Sequence, residues 1–154
     1  MKPDLIIYVK YFNLKFTLEC GQCFRWKCLS QKEDEYIGVI FDRVIRIKQD
    51  KEKLSIWSNK KENLKEVVMN YFDLNRDYEE IEKEISKIDK NIKKAVSYSS
   101  GIHILNQPLF ETIISYIISA NNNIKRISRS VNEISRKYGK EVFLRVRTII
   151  FFHL

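Results

Sequence analysis

Hydrophobic and polar residues alternate along the first sixty residues of the chain, with the period of two that is typical of β-strands. The alternating segments predict strands near residues 14–18, 24–28, 36–41, 44–47 and 54–57. Asp42 and Arg43 separate the third segment from the fourth and predict a tight hairpin turn. Because one side of the alternation is charged, we expect an antiparallel sheet that is covered on one face only.

From residue 62 onward the apolar residues recur with the spacing of helices. Four of them share one predicted helical face: Leu64, Val67, Val68 and Tyr71. Later helices are predicted to begin at residues that favour helix starts, namely Asp77 with Glu80 in the form of a capping box, Asp89, and Pro108. A sheet followed by helices predicts the α+β fold class.

Two of the predicted helices are joined by the segment SANNNIKRISRS, residues 119–130. The helix before it carries a wide apolar stripe and is therefore predicted to be largely buried: Phe110, Ile113, Ile114, Ile117 and Ile118. The helix after it ends at Gly139 and is predicted to turn five apolar side chains inward: Ile124, Ile127, Val131, Ile134 and Tyr138.

Size and charge favour a globular protein with an anionic partner. The 154 residues, of which 44% are hydrophobic, provide for one domain or for one domain with part of another. No apolar run is long enough to cross a bilayer, so we expect a soluble, cytoplasmic protein without a membrane partner. The net charge is +8, and eight basic residues but only two acidic ones follow Asn121. Such clustering favours polyanion binding, and a solvated basic surface is the alternative.

Three cysteines, Cys20, Cys23 and Cys28, raise the question of a metal site. A C-x2-C pair can bind zinc or exchange disulfides. No second pair follows, however, and His103 and His153 are the only histidines. We therefore predict reduced thiols in or near the sheet and no metal or cofactor. A cysteine-ligated metal domain is kept as an alternative hypothesis.

The three consecutive asparagines, Asn121, Asn122 and Asn123, stand where one turn residue would suffice. Lys125 and Arg126 follow in the first turn of a helix, where acidic residues are the ones that stabilise the helix dipole. Such a local conflict is typical of a functional site. Asparagine side chains both donate and accept hydrogen bonds and can pair with base edges. The segment therefore predicts nucleic-acid binding, and a polar corner between helices is the alternative.

Three segments together resemble the 8-oxoguanine DNA glycosylase family of the helix-hairpin-helix superfamily. They are GQCFRW (residues 21–26), GIHILNQPLFETIISYI (residues 101–117) and SANNNIKRI (residues 119–127), in the family's order. The resemblance implies a TBP-like antiparallel sheet domain with packed helices, and then the first helices of a truncated helical glycosylase domain. We expect the former at 1–98, the latter at 99–139 and a tail at 140–154.

The resemblance also implies roles for individual residues. Gly21 matches the glycine whose carbonyl accepts a hydrogen bond from N7–H of 8-oxoguanine. Asn121 matches the asparagine that fills the gap left by the extruded nucleotide, and Arg126 matches the arginine that reads the orphaned cytosine. The remaining predicted DNA-binding residues are Asn122, Asn123, Lys125 and Arg129. The expected partner is duplex DNA containing oxidised guanine, bound by a nucleoid-associated monomer.

No catalytic residue is assigned. The family's catalytic lysine and aspartate lie beyond the asparagine segment, in and after a glycine-containing hairpin, and Gly139 is the only glycine after Asn121. The final segment RVRTIIFFHL, residues 145–154, does not resemble the family, so we expect a frameshifted or otherwise non-native tail. We therefore expect base-excision-repair ancestry without excision activity in this chain alone. A non-catalytic DNA-binding module is the alternative.

Overall fold

The structure, a computed structural model, describes residues 2–144 and 150–153. The first sheet is antiparallel, with the strand order β1-β5-β4-β3-β2, and β6 pairs with β7 in a second, two-stranded sheet. The strands are β1 (Leu5–Tyr8), β2 (Lys27–Ser30), β3 (Glu35–Ile40), β4 (Arg43–Asp50), β5 (Lys53–Ser58), β6 (Lys140–Phe143) and β7 (Ile150–His153). The helices are α1 (Leu14–Glu19), α2 (Leu64–Tyr71), α3 (Tyr78–Ile85), α4 (Lys90–Ser99), α5 (Leu109–Ser119) and α6 (Ile124–Tyr138). The predicted α+β class is confirmed.

The hairpin between β3 and β4 forms as predicted, but its turn lies one residue earlier. Ile40 pairs with Arg43, so the two turn residues are Phe41 and Asp42. Phe41 adopts a φ of +50°, as tight two-residue hairpins require. The Arg43 side chain instead turns back to donate a hydrogen bond to the Glu62 carbonyl at 2.6 Å.

Both faces of the sheet are covered at β3 and β4, so the prediction of a one-sided sheet was wrong. Ile45 and Ile47 are fully buried on the face that packs against α1 and α2. On the opposite face, Ile37 and Val44 are buried together with Leu144, which follows β6. The second sheet lies beside β3 and β4. Alternation could not reveal this covering because it depends on residues far along the chain.

The segment predicted as the first strand is a helix, α1. The Asn13 side chain accepts a hydrogen bond from the Phe16 amide at 2.9 Å and so caps the helix start. Leu14 and Leu18 are four residues apart, a spacing that fits one face of a strand and one face of a helix equally. Thr17 decides between them, because it is fully buried although strand alternation would expose it.

The predicted starts of α3 and α4 are confirmed by their caps. Asp77 accepts a hydrogen bond from the Glu80 amide at 2.9 Å. Asp89 accepts two, from the amides of Asn91 and Ile92 at 2.6 and 2.9 Å. Each cap satisfies amides that have no partner within their own helix.

Helix α5 begins after Pro108 as predicted, but the expectation that it is largely buried was wrong. No α5 residue is buried within the described part of the chain, and Phe110 and Ile117 are 62% and 63% exposed. Helix α6 packs against α5, and an apolar stripe as wide as that of α5 is too broad for one neighbouring helix to cover. Among the described residues, no helix is both long and apolar enough to span a bilayer.

Candidate nucleic-acid interface

The three asparagines between α5 and α6 have different environments. Asn122 donates from Nδ2 to the Ile118 carbonyl at 3.0 Å and accepts from the Asn123 amide at 3.0 Å. Asn123 accepts from the Arg126 amide at 3.1 Å and is the N-cap of α6. These two side chains therefore complete the end of one helix and the start of the next.

Asn121 is left available for a ligand. Its side chain is exposed and hydrogen-bonds to none of the described residues. Its backbone adopts the left-handed conformation, with a φ of +53°. That conformation costs other residues more than it costs asparagine, which explains the residue type at the tightest point of the turn.

Helix α6 presents an unpaired cationic surface at its N-terminus. Lys125, Arg126 and Arg129 are exposed, and none of them takes part in an ion pair within the described ranges. Arg136, later in the helix, does pair with Glu133, at 2.8 Å. The first turn contains no acidic residue, so the positive end of the helix dipole adds to these charges.

The inward face of α6 is shorter than predicted. Ile127 and Val131 are buried and Ile134 is half-buried, whereas Ile124 and Tyr138, at the two ends, are 60% and 70% exposed. The helix is therefore anchored through its middle. Its first three residues, Ile124 to Arg126, are exposed.

Gly21 lies next to this first turn. It follows α1 with a φ of +91°, and a Cβ atom placed on it would lie 4.0 Å from Cδ1 of Ile124. Its carbonyl oxygen accepts no hydrogen bond from the described residues. The fold thus brings an unpaired backbone acceptor beside the start of the cationic helix, from opposite ends of the sequence.

The loop that contains Gly21 is held by Gln22, which sequence reasoning missed. Gln22 donates from Nε2 to the carbonyls of Thr17 at 2.9 Å and His103 at 2.8 Å. Its Oε1 accepts from the Leu105 amide at 2.9 Å, and its own carbonyl accepts from Nε2 of Gln107 at 2.6 Å. Both glutamines lie in the segments that carry the family resemblance, but the sequence does not show that they meet.

Arg25 and Trp26, which follow this loop and belong to the family pattern, contact other parts of the fold. Arg25 forms an ion pair with Glu111 of α5 at 3.0 Å, and these side chains are only 5% and 14% exposed. The Trp26 ring covers Gly38 so closely that a Cβ atom there would lie 2.5 Å from it. Its indole donates to the Tyr71 hydroxyl at 3.0 Å. Arg25 therefore links the loop to α5, and the half-buried Trp26 packs against the core.

The cysteines do not form a metal site in the described part of the chain. Cys20 and Cys28 are exposed, Cys23 is buried, and all three are free. No group of three potential ligands is found among the described residues. Burial raises the pKa of the Cys23 thiol far above its usual range, which disfavours the thiolate form that binds metals.

Comparison with known proteins identifies one family that the chain matches. A family model for the N-terminal domain of 8-oxoguanine DNA glycosylase matches residues 4–113. The N-glycosylase/DNA lyase of Saccharomyces cerevisiae is 30% identical over 80% of this chain and 35% of its own length.

Two solved structures are similar over nearly the whole chain. MBOgg1, in complex with a low-affinity DNA ligand, has a TM-score of 0.86 and 34% identity, covering 96% of this chain and 50% of that one. The Clostridium acetobutylicum 8-oxoguanine glycosylase/lyase, in complex with duplex DNA containing cytosine opposite 8-oxoguanine, has a TM-score of 0.82 and 40% identity, covering 99% and 54%. The chain thus spans from about a third to about half of the length of these relatives. It belongs to the 8-oxoguanine DNA glycosylase family and contains that family's N-terminal domain.

Proposed function

We propose that this chain is the N-terminal part of a base-excision-repair glycosylase, and that it reads 8-oxoguanine in duplex DNA after the base has been flipped out. The observation that carries the proposal is the left-handed Asn121 immediately before the cationic N-terminal part of α6, with Gly21 beside that helix. Within the described residues, the Asn121 side chain has no hydrogen-bond partner and Lys125, Arg126 and Arg129 have no acidic partner. The relative from Clostridium acetobutylicum was solved with DNA that contains this lesion.

Asn121 and Arg126 would occupy the vacancy in the duplex. Flipping a nucleotide out of the stack costs a few kcal/mol, which contacts in the gap must offset. Both side chains are exposed: within the described residues, the carbonyl and NH2 of the Asn121 amide have no hydrogen-bond partner and the Arg126 guanidinium has no acidic partner. An arginine can donate hydrogen bonds to the acceptors of an orphaned cytosine.

The Gly21 carbonyl would distinguish the lesion from guanine. In 8-oxoguanine N7 carries a proton and donates a hydrogen bond, whereas N7 of guanine presents a lone pair. A fixed carbonyl therefore pairs with the lesion and repels guanine, at the cost of an unsatisfied buried acceptor. Glycine permits the close approach because no side chain stands between its backbone and a ligand.

Phosphate contacts would supply most of the affinity. Lys125 and Arg129 are four residues apart and hence lie on one face of α6, where they can neutralise neighbouring phosphates. Asn122 and Asn123 would contribute through the backbone conformation that they stabilise. Because these contacts release counterions, binding should weaken steeply as salt rises.

Excision would require the part of the family fold that this chain does not span. We assign it no catalytic lysine or aspartate, so the chain alone should bind lesion-containing DNA without cleaving the glycosidic bond. Fluorescence anisotropy with matched duplexes tests the first statement: the 8-oxoguanine·cytosine duplex should bind more tightly than the guanine·cytosine duplex. Borohydride trapping tests the second, and a covalent protein–DNA adduct would show that the chain has lyase chemistry of its own.

A further inference from the structure

Gln22 is joined to four separate backbone or side-chain groups through hydrogen bonds of 2.6–2.9 Å. We propose that Gln22 is a positioning residue for lesion reading. Its side chain fixes the Gly21 carbonyl, and 8-oxoguanine is distinguished from guanine only while the Gln22 bonds are intact. The inference rests on the proposed function, in which that carbonyl faces the flipped base.

The Gly21 carbonyl needs an external restraint. A glycine with a φ of +91° has no side chain to hold it and can adopt many conformations at low cost. Its carbonyl has no hydrogen-bond partner among the described residues. Discrimination by repulsion requires a fixed acceptor, because a carbonyl that can rotate away would accommodate guanine.

The groups that hold Gln22 are themselves well fixed. Thr17 is fully buried in α1, and His103 is 1% exposed. The two ring nitrogens of His103 lie 3.0 Å from the Phe72 carbonyl and 2.8 Å from the Tyr11 carbonyl. Gln22 therefore connects the loop to a rigid part of the core.

The primary amide is the chemical feature that makes this possible. It offers two donors and an acceptor, and all are used: the donors by the carbonyls of Thr17 and His103, and the acceptor by the Leu105 amide. Methionine has a similar length but forms none of these bonds. The substitution Gln22→Met therefore removes the restraint with little change in volume.

The chain offers a matched control in Gln49. Its amide donates to the carbonyls of Phe12 at 2.7 Å and Lys51 at 2.9 Å, and accepts from the Leu14 amide at 2.7 Å. Gln49→Met therefore breaks the same number and kind of bonds, at the N-terminal end of α1 and away from Gly21. A general loss of stability would affect both variants, whereas a positioning role concerns Gln22 alone.

Amide hydrogen exchange measured by NMR shows whether the restraint has been released. Gln22→Met should accelerate exchange of the Leu105 amide, and Gln49→Met should accelerate exchange of the Leu14 amide. The amides of the central strand β4 should remain protected in both. This measurement does not depend on DNA.

The ratio of affinities for 8-oxoguanine·cytosine and guanine·cytosine duplexes is the functional readout. Gln22→Met should reduce the ratio by about fivefold or more, the effect of one misplaced hydrogen bond. Affinity for a duplex with an abasic site opposite cytosine should change less than about twofold, because such a duplex presents no base to the Gly21 carbonyl. Gln49→Met should preserve both quantities.

The outcomes separate the inference from the proposed function. If the parent protein shows no preference for the lesion duplex, the proposed function fails and the inference with it. If the parent has the preference and Gln22→Met retains it despite faster Leu105 exchange, the inference alone is overturned. Equal loss in both variants would also overturn it. Should Gln22→Met not fold, Gln107→Met, which removes only the bond to the Gln22 carbonyl, should lower the ratio in the same direction.

Discussion

The Arg126 backbone amide donates a hydrogen bond to the Asn123 side chain at 3.1 Å, so the residue that caps α6 also fixes the start of its cationic turn. One residue of the triplet thus caps the helix, and the side chain of another, Asn121, makes no hydrogen bond within the described chain. The asparagines therefore divide between those that stabilise the two helices and one that we propose contacts DNA. That division has separate consequences for stability and for binding.

Removing the cap should destabilise the protein. Asn123→Ala is expected to lower the free energy of unfolding by about 1 kcal/mol, the usual cost of losing an N-cap side chain. Asn121→Gly should leave it unchanged or raise it by up to about 1 kcal/mol, because glycine adopts the left-handed conformation without strain. Urea denaturation measures both. A larger loss at Asn121 than at Asn123 would show that the assignment is reversed.

The ion pair between Arg25 and Glu111 should contribute strongly to the attachment of α5. Replacing one partner leaves the other charge buried, so Arg25→Met is expected to cost about 3 kcal/mol or more of unfolding free energy. Arg136→Met breaks the exposed pair with Glu133 and should cost less than about 1 kcal/mol. Similar losses from the two variants in urea denaturation would mean that Arg25 is not desolvated as the structure has it.

Because most apolar residues of α5 are exposed, their substitution should change the stability of this chain very little. Ile117→Ala should change the free energy of unfolding of this chain by less than about 1 kcal/mol, because the side chain is 63% exposed. Ile45→Ala, the same substitution at a fully buried position, should cost about 2–5 kcal/mol. Thermal and urea unfolding provide the comparison. A large loss at Ile117 would indicate that α5 is covered in solution.

Acid should remove the contribution that ionised Asp42 makes to the stability of the fold. A hydrogen bond from Lys60, opposed by partial burial and aided by Arg43, lowers the pKa of Asp42 below its ordinary value of 3.8. A carboxyl whose pKa is lowered on folding stabilises the protein above its unfolded pKa, and this contribution is lost as the pH falls through the folded pKa. Stability measured from neutral pH down through that range should therefore fall less steeply for Asp42→Asn than for the parent. Identical slopes would contradict the role of this contact.

Local features of the fold were predictable from the sequence, and contacts between distant segments were not. Asp77 and Asp89 were correctly predicted as helix starts because a cap depends on residues within one turn. The turn before β4 was misplaced by one residue, because the apolar Phe41 continues the hydrophobic pattern of β3 although it lies in the turn. Leu14 and Leu18 could not distinguish a helix from a strand.

The exposure of α5 and the hydrogen bonds of Gln22 could not be predicted from such local rules. The apolar spacing of α5 identifies a face that can be buried, but exposure depends on what the rest of the fold places against it. Gln22 meets His103 only because α1 and the segment before α5 fold together. The asparagines and basic residues at 121–129 could be proposed as candidate site residues from the sequence alone. The proximity of Gly21 to Ile124 is visible only in the three-dimensional structure.

The affinity of single-residue variants for a duplex containing 8-oxoguanine opposite cytosine tests the central claim most directly. Asn121→Ala and Arg126→Ala should each weaken binding by about tenfold or more, the usual effect of losing a specific contact. Two exposed residues later in α6 supply the controls: Asn132→Ala matches the lost amide and Arg136→Ala matches the lost charge, and each should change affinity less than about threefold. If Asn121→Ala and Arg126→Ala bind the lesion duplex as tightly as the parent, the corner between α5 and α6 does not enter the DNA.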